Sequence, residues 1–224
     1  MIPHLKKPVN DTFIFELIIP SLPGFGYSDG SNKPKCQTPH VAHILKNLMK
    51  RLGHEKFYVH GSDWGGIVAN NMATLFPKNV LGFHSNFCIS LRYISIVKLI
   101  LGSLYPRIIV SYEFESKLYP LRSLLRFYFA ESGYLHIQGT KPDTIGISLE
   151  NSPEGLLAFM LEKLSVGTNK NNVHVDNAGL DKFDKTLLMD IIMFYYWFPK
   201  SATTSGRFYA ENLNVDAFRY GLHK

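Results

Sequence analysis

The apolar positions of the chain fall into two textures. From Phe13 to Pro20, FIFELIIP is a nearly unbroken apolar run with β-branched residues, closed by Pro20 and Pro23, and it predicts a buried strand. The turn SLPGFGYSDG follows, where Gly24, Gly26 and Gly30 permit backbone angles that other residues avoid. Behind Pro39, the residues Val41, Ile44, Leu45, Leu48, Met49 and Leu52 keep helical spacing, and Gly53 is a stop. KFYVHG reads as a second strand, GGIVANNMATLF as a helix ended before Pro77, and NVLGFHSNF as a third strand. Strand–helix–strand–helix–strand is the pattern of an α/β domain with a parallel sheet.

The texture changes after Asn86. From Ile89 to about Leu213 the chain reads as helices and long connections rich in Phe and Tyr, with no second strand–helix series. SPEGLLAFMLEKLS predicts a helix with Ser152 as its cap, Pro153 at the first position and Glu154 in the first turn. DKTLLMDIIMFYYWF predicts another, stopped by Pro199. The expected organisation is a core over residues 1–88, a mainly helical cap over 89–212, and an irregular tail over 213–224.

Composition narrows the picture. Apolar residues at 46% and charged ones at 19% of 224 residues describe a globular body of one domain or two small ones. The net charge of +6 is scattered, with no basic run longer than Lys6-Lys7 or Lys50-Arg51, so no nucleic-acid partner is expected. Cys36 and Cys88 fit a reducing compartment and leave one bridge open. The start lacks the order of a signal peptide, so Asn10-Asp11-Thr12 reads as a chance glycosylation match. Ile89 to Val110 is apolar, but Arg92, Lys98, Pro106 and Arg107 interrupt it, so it predicts a buried or interfacial helix and not a membrane span.

The candidate chemistry lies at Gly61-Ser62-Asp63-Trp64-Gly65, between the second strand and its helix. A G-x-nucleophile-x-G turn presents its central side chain, and small residues two places to either side let strand and helix approach. The Trp64 amide opens the helix and can hold developing negative charge. Asp63 as nucleophile would give an anhydride from a carbonyl but a stable ester from a saturated carbon, which a His-activated water can hydrolyse. The pattern therefore points to epoxides or alkyl halides. The plainer alternative is a helix entrance capped by Asp63.

The stretches PSLPGFGYSDG, HGSDWGG, ESGYLHIQGTKPDTIGISLENSPEGLLAFMLEKLS and TTSGRFYAENL resemble the microsomal epoxide hydrolases, most closely those acting on insect juvenile hormone, across nearly the whole chain. The first two stretches are also similar to haloalkane dehalogenases. The resemblance implies a partial α/β-hydrolase fold with an incomplete parallel sheet. It implies that Asp63 attacks an epoxide carbon while Tyr134 and Tyr209 hydrogen-bond the departing oxygen, giving a diol through an ester. Phenols are protonated at neutral pH and suit an oxygen leaving group. With 12 tyrosines in the chain, Tyr27, Tyr195 and Tyr196 are assigned to packing. The substrate implied is a small lipophilic epoxide, either juvenile hormone or a xenobiotic, with no cofactor and no metal. The resemblance also implies association with the endoplasmic reticulum membrane through an N-terminal anchor. That anchor is absent here, which leaves a cytoplasmic alternative.

Three further parts that the resemblance implies have no match. They are a His-Gly-x-Pro loop ahead of FELIIP, an acid, and a His in a Gly-Gly-His-Phe-like stretch. None of the nine histidines is expected to replace that base. His40 and His43 read as packing, His54 as loop, His60 and His84 as strand, and His136 as part of the cap motif. His4 and His174 have no motif around them, and His223 sits second from the end. The chain thus reads as a truncated gene model, a splice fragment or a degenerate duplicate that is not expected to turn over. The alternatives are a catalytically dead lipophile-binding homologue, a nonfunctional fragment and, among enzymes, a dehalogenase.

Overall fold

A computed structural model describes residues 2–7, 14–87 and 93–214. Cys88, the start of the Ile89–Val110 segment, and His223 with most of the expected tail lie outside the described residues.

After one helical turn, α1 (Ile2–Leu5), residues 14–37 carry no regular hydrogen-bonded structure. The expected strand over Phe13–Pro20 is not formed among its described residues. A strand exists only by pairing, and the sheet among the described residues has two strands that pair with each other. The apolar run instead lies beside the sheet through side chains. Phe15 meets Tyr58 edge-on at 6.0 Å and Glu16 lies 3.4 Å from His54, while Ile14 and Ile19 stay exposed.

The glycine turn then folds on itself. Phe25 N–H donates to Leu22 O at 2.9 Å and Gly24 N–H to Asp29 O at 3.1 Å. Gly24 is at φ +84°, and a Cβ there would sit 2.8 Å from Thr204 O, so only glycine fits. Helix α2 (Thr38–Arg51) carries Pro39 in its first turn, as expected, and buries Val41 and Ala42. Strand β1 (Phe57–Gly61), helix α3 (Asp63–Leu75) and parallel strand β2 (Val80–Ser85) follow in the expected places, with His60 opposite His84 and Gly61 opposite Ser85.

Beyond β2 the described chain is helical. Its elements are α4 (Tyr93–Leu101), α5 (Tyr112–Leu118), α6 (Leu121–Glu131), α7 (Gly133–Thr140), α8 (Pro142–Glu150), α9 (Pro153–Thr168), α10 (Lys185–Ile192) and α11 (Ser201–Asn212). Ser152 Oγ accepts from Gly155 N–H at 2.9 Å, and Asp184 Oδ1 accepts from Thr186 and Leu187 N–H at 2.9 and 3.1 Å, so α9 and α10 carry side-chain caps. The expected single helix up to Phe198 changes character at Met193–Trp197. There a π-helical turn widens the backbone and carries Tyr195 and Tyr196. No helix among the described residues is long and apolar enough to cross a membrane.

Two apolar clusters hold these parts. Val41, Phe57, Val68, Met72 and Phe208 are buried in one, and Leu149, Leu156, Ile192 and Ala202 in the other. Helix α11 joins them, because Phe208 enters the first and Ala202 the second. Polar bonds fix that helix to the first third of the chain. Asn212 Oδ1 accepts from Thr38 N–H at 2.8 Å, Glu211 Oε2 from Lys35 N–H at 2.8 Å, and Gly24 O from Thr204 Oγ1 at 2.7 Å. The first of these satisfies an α2 amide that the helix itself leaves unpaired. The result places Tyr209, one residue after Phe208, beside the start of α3.

Candidate active site

The β1–α3 turn is tight for a reason visible at Gly61. A Cβ there would fall onto the backbone of Gly65, so no side chain fits between strand and helix. Gly66 is the other constrained position, with Ser85 Oγ 2.8 Å and Phe87 O 3.0 Å from where its Cβ would be. Gly65 faces open space among the described residues, so the small residue that matters on the helix side is Gly66 and not Gly65. Asp63 itself adopts φ +50°, a left-handed angle that is uncommon outside glycine and that turns its side chain out of the strand line. Its carboxylate is exposed at the helix start.

Trp64 N–H donates to Asp63 Oδ1 at 2.6 Å. One carboxylate oxygen is thereby held by the elbow amide, and the second makes no hydrogen bond among the described residues. The Trp64 ring packs edge-on against Phe208 at 5.4 Å and against Tyr209 at 5.1 Å. Its buried Nε1 has no acceptor in hydrogen-bond geometry among the described residues. It still lies near enough to the Tyr209 oxygen to work against the rise in that phenol's pKa.

Tyr209 and Tyr134 meet edge-on with ring centroids 6.4 Å apart. Burial, then the charge of Asp63, pushes the Tyr209 phenol well above its ordinary value. Burial and Asp63 raise Tyr134 as well, while the Lys163 ammonium pulls it back. Both phenols are protonated and electrostatically coupled to the carboxylate. Tyr196 packs against the second apolar cluster, in keeping with its assignment to packing. Burial, then Tyr195 and Asp63, push its phenol up to about 12. Tyr195 packs on the glycine turn, where a Cβ at Gly26 would be 2.6 Å from its Cε2. Tyr27 is exposed, with no ring contact to the cluster.

The described histidines stand elsewhere. His60 and His84 stack across the two strands, Nδ1 to Nδ1 at 2.8 Å, on an exposed part of the sheet. His43 meets Phe76, and His54 faces Glu16. None of the described histidines makes a hydrogen bond to Asp63, Tyr134 or Tyr209. Among the described residues no group of three or more His, Cys, Asp or Glu side chains is placed to hold a metal. Cys36 is free and buried, and burial raises its thiol pKa. A cavity of about 420 Å³ opens between residues 30–36, Pro142 and α11, with Lys33, Asp143, Arg207 and Glu211 in its walls. Asp63, Tyr134 and Tyr209 do not line it, so this volume belongs to the junction beneath α11 and not to the β1–α3 turn.

Comparison with known proteins agrees with this architecture. A family model for the alpha/beta hydrolase fold matches residues 1–86. Juvenile hormone epoxide hydrolase 2 of Ctenocephalides felis is 46% identical over 218 residues, which are 96% of this chain and 47% of that protein. Epoxide hydrolase 1 of Sus scrofa is 41% identical over 219 residues, covering 95% of this chain and 48% of the relative. The crystal structure of juvenile hormone epoxide hydrolase from the silkworm Bombyx mori superposes with a TM-score of 0.93 at 44% identity, over 97% of this chain and 52% of that one. The chain spans about half the length of the curated relatives it matches. Its fold is that of an α/β hydrolase represented by a two-stranded parallel sheet and a mainly helical remainder.

Proposed function

We propose that this chain, homologous to the juvenile hormone and microsomal epoxide hydrolases over about half their length, carries the ester-forming half of epoxide hydrolysis. The observation that carries the reading is the convergence of Asp63, held through one oxygen by Trp64 N–H, with Tyr134 and Tyr209. Asp63 Oδ2 bonds to an epoxide carbon, the C–O bond breaks, and a phenol gives its proton to the departing oxygen. The product is a hydroxyalkyl ester of Asp63. The phenols orient the ring for in-line attack and stabilise charge where it develops. The Trp64 amide remains on the ester oxygen. On this reading residues 1–88 supply the nucleophile, and residues 89–212 the cap that brings both phenols.

Hydrolysis of the ester needs a base that takes a proton from water. None of the described histidines makes a hydrogen bond to the site, which supports assigning the ester-forming half, and not the hydrolysis, to the described residues. The substrate class is a lipophilic epoxide, juvenile hormone or xenobiotic, in keeping with the aromatic walls of the site. We place the chain at the endoplasmic reticulum surface on the same homology. Apolar residues left exposed on α4 to α6 support that placement, among them Ile100, Leu125 and Phe129, the last 90% exposed. Lys98, Arg107, Arg122 and Arg126 accompany them.

The test is exposure of the full chain to excess styrene oxide, with covalent mass and released diol followed together. One bound equivalent and no diol beyond the uncatalysed background is expected. Continuous diol release would overturn the half-reaction, and saturable binding without an adduct would favour the lipophile-binding alternative.

A further inference from the structure

We propose that Lys163 is a positioning residue that makes Tyr134, and not Tyr209, the proton donor of the phenol pair. The inference rests on the epoxide-opening reading above. Lys163 lies on α9, and its Nζ stands over the Tyr134 ring, 5.3 Å from the centroid. Three acceptors hold it there: Glu131 Oε2 at 3.1 Å, Glu131 O at 3.2 Å, and Glu162 Oε1 at 2.6 Å. Glu131 is the last residue of α6, two places before α7 begins at Gly133, so the ammonium is tied to the connection that delivers Tyr134. The lysine and Glu131 side chains are 24% and 21% exposed, so water screens this pair less than a surface one.

Tyr209 has no such partner. Its neighbours are the Trp64 and Tyr134 rings, and among the described residues no ammonium or guanidinium stands over it or over Tyr196. The two phenols that share the departing oxygen are therefore electrostatically unequal.

The reaction exploits that difference through charge balance. Before attack, Asp63 carries one negative charge and both phenols are neutral. The Asp63 Oδ2–carbon bond forms, the carbon–oxygen bond of the epoxide breaks, and the phenol proton moves to that oxygen. The ester is neutral, so the negative charge now resides on a phenolate. A tyrosinate spreads that charge into its ring, and a cation over the ring face stabilises it. Esterification also removes the Asp63 charge that opposes ionisation of Tyr134, while Lys163 remains in place. Glu131 and Glu162 face the ammonium and offset part of its field; burial works against its charge, but these two carboxylates outweigh that and raise its pKa. The phenolate regains its proton from solvent, and Tyr209 contributes a hydrogen bond throughout without losing its own.

The experiment uses the full chain and Lys163→Met, Lys163→Arg, Tyr134→Phe and Tyr209→Phe, each checked for native circular dichroism. Two readouts are taken across pH: the rate of styrene oxide labelling at Asp63 by intact mass, and tyrosinate absorbance near 295 nm. Lys163→Met should label about tenfold more slowly. It should also move one tyrosine to higher pH, and Lys163→Arg should recover most of both. In the Tyr134→Phe background Lys163→Met should have no further effect, whereas in Tyr209→Phe its effect should persist. Labelling at the original rate in Lys163→Met, or an undiminished effect in Tyr134→Phe, would overturn the role of Lys163 alone. Absence of any adduct in the unsubstituted chain would overturn the ester chemistry, and the donor assignment with it.

Discussion

Trp64 N–H and Asp63 Oδ1 are 2.6 Å apart, joined across a single peptide at a residue whose φ is +50°. The contact distinguishes the two oxygens of one carboxylate: the amide holds one, and the other makes no hydrogen bond among the described residues. On the proposed chemistry the second oxygen attacks and the held one becomes the ester carbonyl. Such a division requires the turn to be tight, and the tightness comes from Gly61 and Gly66.

Substitution at the glycines should separate the constrained from the free. Gly61→Ala forces a methyl into the Gly65 backbone, which cannot swing away as a side-chain tip would. A loss of about 2–4 kcal/mol is expected, at the high end for single substitutions. Gly65→Ala meets nothing within 4 Å and should be neutral or stabilise α3 by up to about 1 kcal/mol. Urea unfolding of the two variants checks the opposite signs.

Alkaline pH should weaken the fold through the phenols. Tyr196 ionises at about 12 in the folded chain against 10.0 for a free phenol, and Tyr209 is raised as well. Both groups are neutral in both states below pH 10. As pH climbs beyond 10 the unfolded chain releases protons that the folded chain keeps, so stability falls. The stability is present below pH 10 and is lost through 12, with Tyr196 alone contributing on the order of 2–3 kcal/mol to the loss. Unfolding free energy measured from pH 9 to 12 should decline, and less steeply in Tyr196→Phe.

Two bonds of α11 should differ in worth. Asn212 Oδ1 receives the buried Thr38 amide at 2.8 Å, and Asn212→Ala leaves that donor unsatisfied. Its cost should be about 1–3 kcal/mol. The Arg207–Asp143 pair has good fork geometry but both side chains are more than half exposed, at 55% and 56%. Arg207→Ala should cost less than about 1 kcal/mol despite the lowered pKa of Asp143. Thermal unfolding of both variants at low and high salt ranks them.

The apolar faces of α4 and α6 should bind anionic lipid. Co-sedimentation with phosphatidylserine vesicles is expected to exceed that with phosphatidylcholine and to weaken with salt, because Lys98, Arg107, Arg122 and Arg126 accompany the exposed Leu125 and Phe129. Phe129→Ser with Leu125→Ser should reduce binding to both vesicles.

Much of this was legible in the sequence, for definite reasons. The β1–α3–β2 unit and α2 announce themselves because proline, glycine and apolar spacing are local signals. The cap at Ser152 is local too. The strand expected over Phe13–Pro20 failed because strand formation depends on a neighbour, and a window of sequence reads propensity without partners. Lys163 was missed because its importance arises from Tyr134, 29 residues away, and from Glu131 on a third helix. Tyr134 and Tyr209 were chosen by resemblance. The structure brings their rings to 6.4 Å, with both phenols in the field of Asp63.

The central claim is that Asp63 forms a bond to carbon. Peptide mapping after exposure to styrene oxide tests it most directly, comparing the chain with Asp63→Ala. The account predicts one added epoxide mass on the peptide containing Gly61-Ser62-Asp63-Trp64-Gly65, fragment ions placing it on Asp63, and no label in Asp63→Ala. Label on another residue, or label of equal extent in Asp63→Ala, would contradict it.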